Sequence, residues 1–212
     1  MPTSFTFPIP WVMSAVKRLR PASILDVGCG AGRYGFLFRE FLQYDRRQPA
    51  GPTRLDAIEI HVDYIGPVQR AIYDQVHIGP AQDVVPRLGR YDLVFCGDMI
   101  EHLAKDAGRR LLDELFAHAQ RAVIITTPAL WLEQGELFDN PAERHHSLWR
   151  ARDFAAFANR RVCRIAGRIL MAVLGREGVQ LPRRLTPRPL RPRDRLKAAM
   201  NRWLGRSGAG PE

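Results

Sequence analysis

From about residue 11 to about residue 174, short apolar runs alternate with longer stretches whose apolar positions recur every three or four residues. The short runs read as strands and the 3.6-residue spacing as helices. Strands are expected at 23–28 (SILDVG), 54–60 (RLDAIEI), 75–79 (QVHIG), 91–97 (YDLVFCG), 121–127 (RAVIITT) and as a closing pair at 162–166 and 168–174. Helices are expected at 11–20, 33–44, 61–73, 106–120 and 151–160. Strands alternating with helices predict an α/β fold, a parallel sheet with helices on both faces.

The helical faces are apolar enough to be core. Phe36, Leu37, Phe41 and Tyr44 share one side of the second helix, and Leu111, Leu112, Leu115 and Phe116 one side of the fourth, where Asp106 is expected as the amino-terminal cap. Two segments break the pattern. RRQPAGPT (46–53) is a turn-rich connection, but TPALWLEQGELFDNPAERHHSLW (127–149) is too long for an ordinary loop and too rich in aromatic and ionisable side chains for a linker. Loops of that kind above the carboxyl edge of a parallel sheet usually carry function.

Composition narrows the setting. With 212 residues, 46% hydrophobic and 25% charged, the chain suits one soluble domain with a substantial core. Its most apolar stretch, VCRIAGRILMAVLG, is cut by Arg164, Gly167 and Arg168 and falls short of the ~20 residues needed to span a bilayer. The start, MPTSFTFPIP, lacks the basic and long apolar regions of a secretory signal, so a cytoplasmic location is expected. Cys29, Cys96 and Cys163 are far apart with no zinc spacing, as suits reduced thiols.

The net charge of +10 is uneven: residues 176–212 hold ten of the 32 Lys+Arg and three of the 22 Asp+Glu, +7 against +3 for the rest. This divides the chain into a domain (1–175) and a basic Pro/Arg-rich tail (176–212). A nearly neutral body argues against gripping nucleic acid across the whole surface. In the tail, Leu196, Met200, Trp203 and Leu204 could share a helical face. That suits either a solvated tail with a short docking helix or a basic amphipathic helix touching an anionic membrane or acidic partner.

Candidate chemistry begins at ILDVGCGAGRYG (24–35), with Gly28, Gly30 and Gly32 alternating after the first strand. Glycines there let the backbone turn sharply and approach a ligand facing the next helix's amino end. Arg33 stands where GxGxxG would have its third glycine, and no GK[ST] ending follows, so neither the dinucleotide fingerprint nor a phosphate loop is met. Asp26 disfavours a pyrophosphate and suits a cationic ligand such as S-adenosylmethionine. Glu59, ending the second strand, can accept hydrogen bonds from both hydroxyls of a ribose.

DVGCGAGRYG with a strand-terminal Glu59 resembles the class I S-adenosylmethionine-dependent methyltransferases, over residues 7 to about 175. The resemblance implies a Rossmann-like methyltransferase fold: a doubly wound, mostly parallel seven-stranded sheet with an antiparallel closing strand. It implies S-adenosylmethionine as cofactor, with Asp26, Gly28, Cys29, Gly30 and Gly32 along its methionine moiety and Glu59 on the ribose. The stretch HIGPAQDV would contact adenine; many relatives carry an aspartate where Pro80 stands, and here either Asp83 replaces it or backbone and apolar contacts alone hold the adenine.

The acceptor side is less constrained. CGDMIEHL lacks the [DN]PP[YF] tetrapeptide of relatives that methylate nitrogen, which leaves an oxygen of a small molecule or glycan as the expected acceptor. Methyl transfer from a sulfonium needs an oriented acceptor and, for a hydroxyl, removal of its proton. His102 is the expected base, with Asp98 and Glu101 orienting it or stabilising its charged form, and Asp98 counted also among the cofactor contacts. Glu101 and His102 also suit a structural role at the following helix.

FDNPAERHHSLWRARDF resembles an NPxExHxSxW-like stretch of a bacterial methyltransferase subgroup, matched on Asn140, Glu143, His146, Ser147 and Trp149. His146 and Trp149 are expected as lid residues against the acceptor, and His146 as a further catalytic group. The rival reading makes the segment a mere tie to the helix near Ala151. A second resemblance, to small-RNA 2′-O-methyltransferases, implies a divalent metal on Asp98, Glu101, His102 and His145 or His146, activating a ribose hydroxyl. Asp instead of Glu at the first position counts against it; the arginine-rich tail favours it. A third reading is an inactive cofactor-binding or interaction subunit. Oligomeric state has no signature in the sequence.

Overall fold

The computed structural model describes residues 5–43, 53–182 and 185. Seven strands, β1 (Ser23–Val27), β2 (Arg54–Glu59), β3 (Gln75–Ile78), β4 (Tyr91–Gly97), β5 (Ala119–Pro128), β6 (Arg160–Ile165) and β7 (Ile169–Gly175), form one sheet in the order β3-β2-β1-β4-β5-β7-β6. The first five pair in parallel, and β7 runs antiparallel between β5 and β6. The expected doubly wound sheet with an antiparallel closing strand is therefore what forms.

Central strands are apolar along their length because both faces are covered. Helices α1 (Ile9–Leu19) and α2 (Arg33–Gln43) cover Ile24, Leu55, Leu93 and Phe95, while α4 (Ala81–Val84) and α5 (Lys105–His118) cover Leu25, Ile58, Val94 and Ile125. The edge strands β3 and β6 are only partly buried.

Four local expectations fail. On α2 the core face is Tyr34, Phe38 and Leu42, while Phe36, expected there, is 56% exposed. The helix expected at 61–73 is a 3-10 turn (Val62–Tyr64) followed by a separate α3 (Pro67–Ile72), because Gly66 is extended and Pro67 starts a new helix at its first position. The helix expected at 151–160 is one 3-10 turn, Ala151–Phe154, since the chain must straighten to enter β6 at Arg160. Asp106 does not cap α5: Ala104 occupies that position with no side-chain cap bond, and Asp106 sits in the first turn against Arg109 at 3.2 Å.

No helix among the described residues is long and apolar enough to cross a membrane. All three cysteines are free thiols. Tyr44 and the amphipathic pattern of the tail lie outside the described residues.

Candidate functional site

The carboxyl ends of the parallel strands open into a cleft of about 580 Å³. Its walls are the glycine loop after β1, the end of β2, the turn after β3, the segment after β4 and the long connection after β5. This is where a doubly wound sheet leaves room for a ligand, at the reversal of strand order between β1 and β4.

The glycine loop is as bare as its sequence suggests. Gly28, Gly30 and Gly32 have φ of 76°, 52° and 78°, a left-handed backbone that side chains resist, and a Cβ on Gly28 would lie 2.7 Å from Met99 Cγ. The Gly28 and Cys29 amides donate to the Ile58 carbonyl, which fixes the loop to β2. Glu59 then spans the two turns: Oε2 accepts from the Gly30 amide at 2.8 Å and Oε1 from the His61 amide at 2.9 Å. Its side chain is held at the cleft wall, as a ribose-binding acid needs to be.

Asp26 is 2% exposed and accepts a 2.6 Å hydrogen bond from the Tyr73 hydroxyl. Burial pushes its carboxyl up to about 7, although Tyr73 acts to lower it. Gly35 makes room for Tyr73, whose hydroxyl a Cβ there would strike. Tyr73 and Gly35 are a supporting pair that the sequence did not single out. Asp83 is exposed and outside the cleft lining, which instead takes Gly79, Pro80, Ala81 and Gln82 from this turn. The adenine-side expectation therefore moves from Asp83 to Gln82 and the backbone around it.

Beyond β4, Asp98 lines the cleft in a left-handed conformation (φ 48°) with its amide donating to the Thr126 carbonyl. Glu101 is 2% exposed, and its Oε2 has no hydrogen-bond partner among the described residues. Burial first, then the Asp98 charge, hold its carboxyl well above the usual range, which favours the protonated acid. His102 is pushed below the ordinary histidine value by desolvation and by His145.

The two histidines meet in the cleft lining, ring centroids 4.9 Å apart. His102 Nδ1 lies 3.2 Å from the Arg144 carbonyl and His145 Nδ1 2.7 Å from the Leu132 carbonyl. A carbonyl only accepts, so each Nδ1 carries a proton, and His102, whose pKa is lowered, keeps its lone pair on Nε2. Glu101, His102 and His145 each offer an atom to a group that spans no more than 4.8 Å, a separation compatible with one metal ion. Asp98 and His146 are not in that group.

Here the structure corrects the lid assignment. Glu143 ends the 3-10 turn Pro141–Glu143, the chain leaves it extended at Arg144, and burial then alternates: Glu143, His145, Ser147 and Trp149 turn inward while Arg144, His146 and Arg150 are exposed. His146 is thus a surface residue, and His145, the residue to which the NPxExHxSxW spacing counts from Asn140, is the histidine in the cleft. Trp149 is no lid either. It is fully buried beneath α5, its Nε1 donating to Ser147 Oγ at 3.0 Å and its ring 3.8 Å from Lys105 Nζ. The other matched residues brace the loop. Asn140 Oδ1 accepts from the Ala142 amide, Glu143 accepts from the Tyr64 hydroxyl at 3.2 Å, and the Glu101 carbonyl receives the His146 and Ser147 amides.

The mouth of the cleft is apolar and strained. Leu137 bridges Asn140 around Phe138 and Asp139, both at positive φ (55° and 57°), as in a type I′ turn. A bulky side chain in that conformation costs roughly 1–2 kcal/mol. Phe138 nevertheless stands there 54% exposed, beside exposed Leu132 and Leu137 and close along the chain to Trp131.

A family model described as a methyltransferase domain matches residues 6–161. No curated protein sequence matches the chain. Among solved structures, the chain is similar to the N-terminal domain of EvdMO1 in the presence of SAH and D-fucose, with TM-score 0.56 and 20% identity over 82% of this chain and 84% of that one. It is similar to the methyltransferase domain of bacterial CtHen1-CN, with TM-score 0.50 and 19% identity over 80% and 97%. It is also similar to an O-methyltransferase family protein from Burkholderia thailandensis, with TM-score 0.51 and 15% identity over 80% and 55%. At these identities the likeness is one of fold.

Proposed function

The chain belongs to the methyltransferase-domain family, and from that premise we propose that it moves the methyl group of S-adenosylmethionine to an oxygen of a small-molecule or glycan acceptor. The observation that carries the reading is the shared cleft, lined by Glu59 and the bare glycine loop together with the His102–His145 pair.

The residues fit the cofactor. Three left-handed glycines expose backbone to it, Glu59 can exchange its amide partners for ribose hydroxyls, and Asp26 suits an ammonium group. When bound, S-adenosylmethionine supplies a methyl group activated by the positive sulfur. His102 takes the proton of the acceptor hydroxyl through Nε2, for which its lowered pKa keeps it unprotonated at neutral pH. His145 lies beside it to share or relay that proton, and the 128–145 connection shields the reacting atoms from water. EvdMO1, whose domain was crystallised in the presence of D-fucose, supports a sugar hydroxyl as one acceptor class.

A second reading has one observation in its favour, the Glu101–His102–His145 cluster. Those three side chains would hold a divalent cation, a Lewis acid that lowers the pKa of an acceptor hydroxyl such as an RNA ribose. Equilibrium dialysis with manganese or zinc separates the readings. Stoichiometric metal retained by the wild type and lost in His145→Ala supports the metal; none retained leaves the histidines as bases.

The test of the main reading is turnover with methyl-labelled S-adenosylmethionine across hydroxylated acceptors, including sugars and phenols. Label recovered on oxygen is expected. Label on nitrogen, or no transfer to any acceptor although cofactor binds, would overturn it.

A further inference from the structure

We infer that the acceptor is a neutral or cationic molecule carrying a large aryl or alkyl group, held against Phe5, Leu132, Leu137 and Phe138, and that polyanions are excluded. This rests on the methyl-transfer reading above and specifies its acceptor side.

Three observations converge. The apolar rim is continuous with the cleft: Phe5, Leu132, Leu137 and Phe138 all line it, and exposed Trp131 adjoins Leu132. A molecule seated on the rim therefore reaches the reacting atoms, so the rim's occupant is the acceptor itself. Exposed apolar side chains grouped at a cleft mouth mark a binding surface.

Phe138 supplies the second observation. At the tip of its tight turn, glycine or asparagine would sit without strain, yet a large aromatic ring stands there in solvent with φ of 55°. Neither packing nor hydrogen bonding among the described residues accounts for it; contact with a bound molecule does.

Charge gives the third. Of the acids that line the cleft, Glu101 is held protonated and Asp26 is pushed up to about 7, which leaves Glu59, Asp98 and Glu143 against a single guanidinium, Arg33, among the described residues. Outside, Glu133, Glu136 and Asp139 flank the apolar tip, and Arg144 is already paired with Glu136 at 3.3 Å. A polyphosphate backbone needs clustered cations, and this mouth presents carboxylates.

Alkyl β-glucosides from ethyl to octyl, kept below micelle-forming concentrations, probe the rim. Binding is read from tryptophan fluorescence and confirmed by S-adenosylhomocysteine release, with calorimetry on S-adenosylmethionine in parallel. Each two added methylenes should tighten binding by several-fold to about tenfold. Phe138→Gly, which relieves the turn, should hold or raise the melting temperature, leave cofactor binding unchanged and flatten the chain-length dependence. Chain-length-independent binding, an unchanged dependence in Phe138→Gly, or a short RNA binding more tightly than octyl glucoside would overturn the inference. Absence of cofactor binding would instead defeat the methyl-transfer reading on which it rests.

Discussion

His102 and His145 face each other at 4.9 Å, each with its Nδ1–H donated to a loop carbonyl and its Nε2 left for chemistry. Because desolvation and the neighbouring ring lower the His102 pKa, protonation of His102 is disfavoured in the folded state. Its contribution to stability is full above the ordinary value of 6.5 and falls away as the pH drops through the lower folded value. Turnover should accordingly hold down to below pH 6.5 and then decline along one acid limb. His102→Ala should reduce turnover by roughly 10²–10⁴-fold and remove that limb. A pH–rate profile unchanged by the substitution would show that another group is the base.

Asp26 should reveal a conflict between stability and ligand binding. Its folded pKa of about 7 stands above the unfolded 3.8, so the chain loses stability as pH rises between those values. About 4 kcal/mol is lost once the group is ionised in both states. Asp26→Asn keeps an acceptor for the Tyr73 hydroxyl and removes the charge. Thermal melts should show an advantage over wild type that grows from pH 5 to pH 8, while S-adenosylmethionine binds more weakly.

Trp149 should behave as core. Trp149→Ala is expected to destabilise by about 3–5 kcal/mol. Gly108→Ala should cost about 1–3 kcal/mol, since a Cβ there would lie 2.7 Å from Trp149 Cζ2. Denaturant unfolding measures both. A Trp149→Ala variant of native stability with only a raised KM would restore the lid reading.

The sheet was legible because its period is local: apolar runs such as DLVFCG announce strands wherever both faces are covered, and those strands form within one or two residues of expectation. Helical spacing across HVDYIGPVQRAIY concealed a break, although Gly66–Pro67 was the signal for it. The cofactor wall was equally readable, since positive-φ glycines and a strand-ending acid are local requirements. The acceptor wall was not, because it depends on which way an extended segment faces. One residue of register separates His145 in the cleft from His146 in solvent, and the NPxExHxSxW spacing, which counts to His145 and not to His146, was its trace in the sequence. Tyr73 under Asp26 and Gln82 in place of Asp83 come from tertiary contacts that no local pattern encodes.

The central claim is that this cleft holds S-adenosylmethionine with Glu59 on its ribose. Calorimetric titration of the cofactor into wild type and Glu59→Ala tests it most directly. Loss of charge-assisted hydrogen bonds worth about 1.5–3 kcal/mol predicts binding weaker by roughly ten- to a hundredfold in the variant. Equal affinity in the two proteins, or no binding by the wild type, would contradict it.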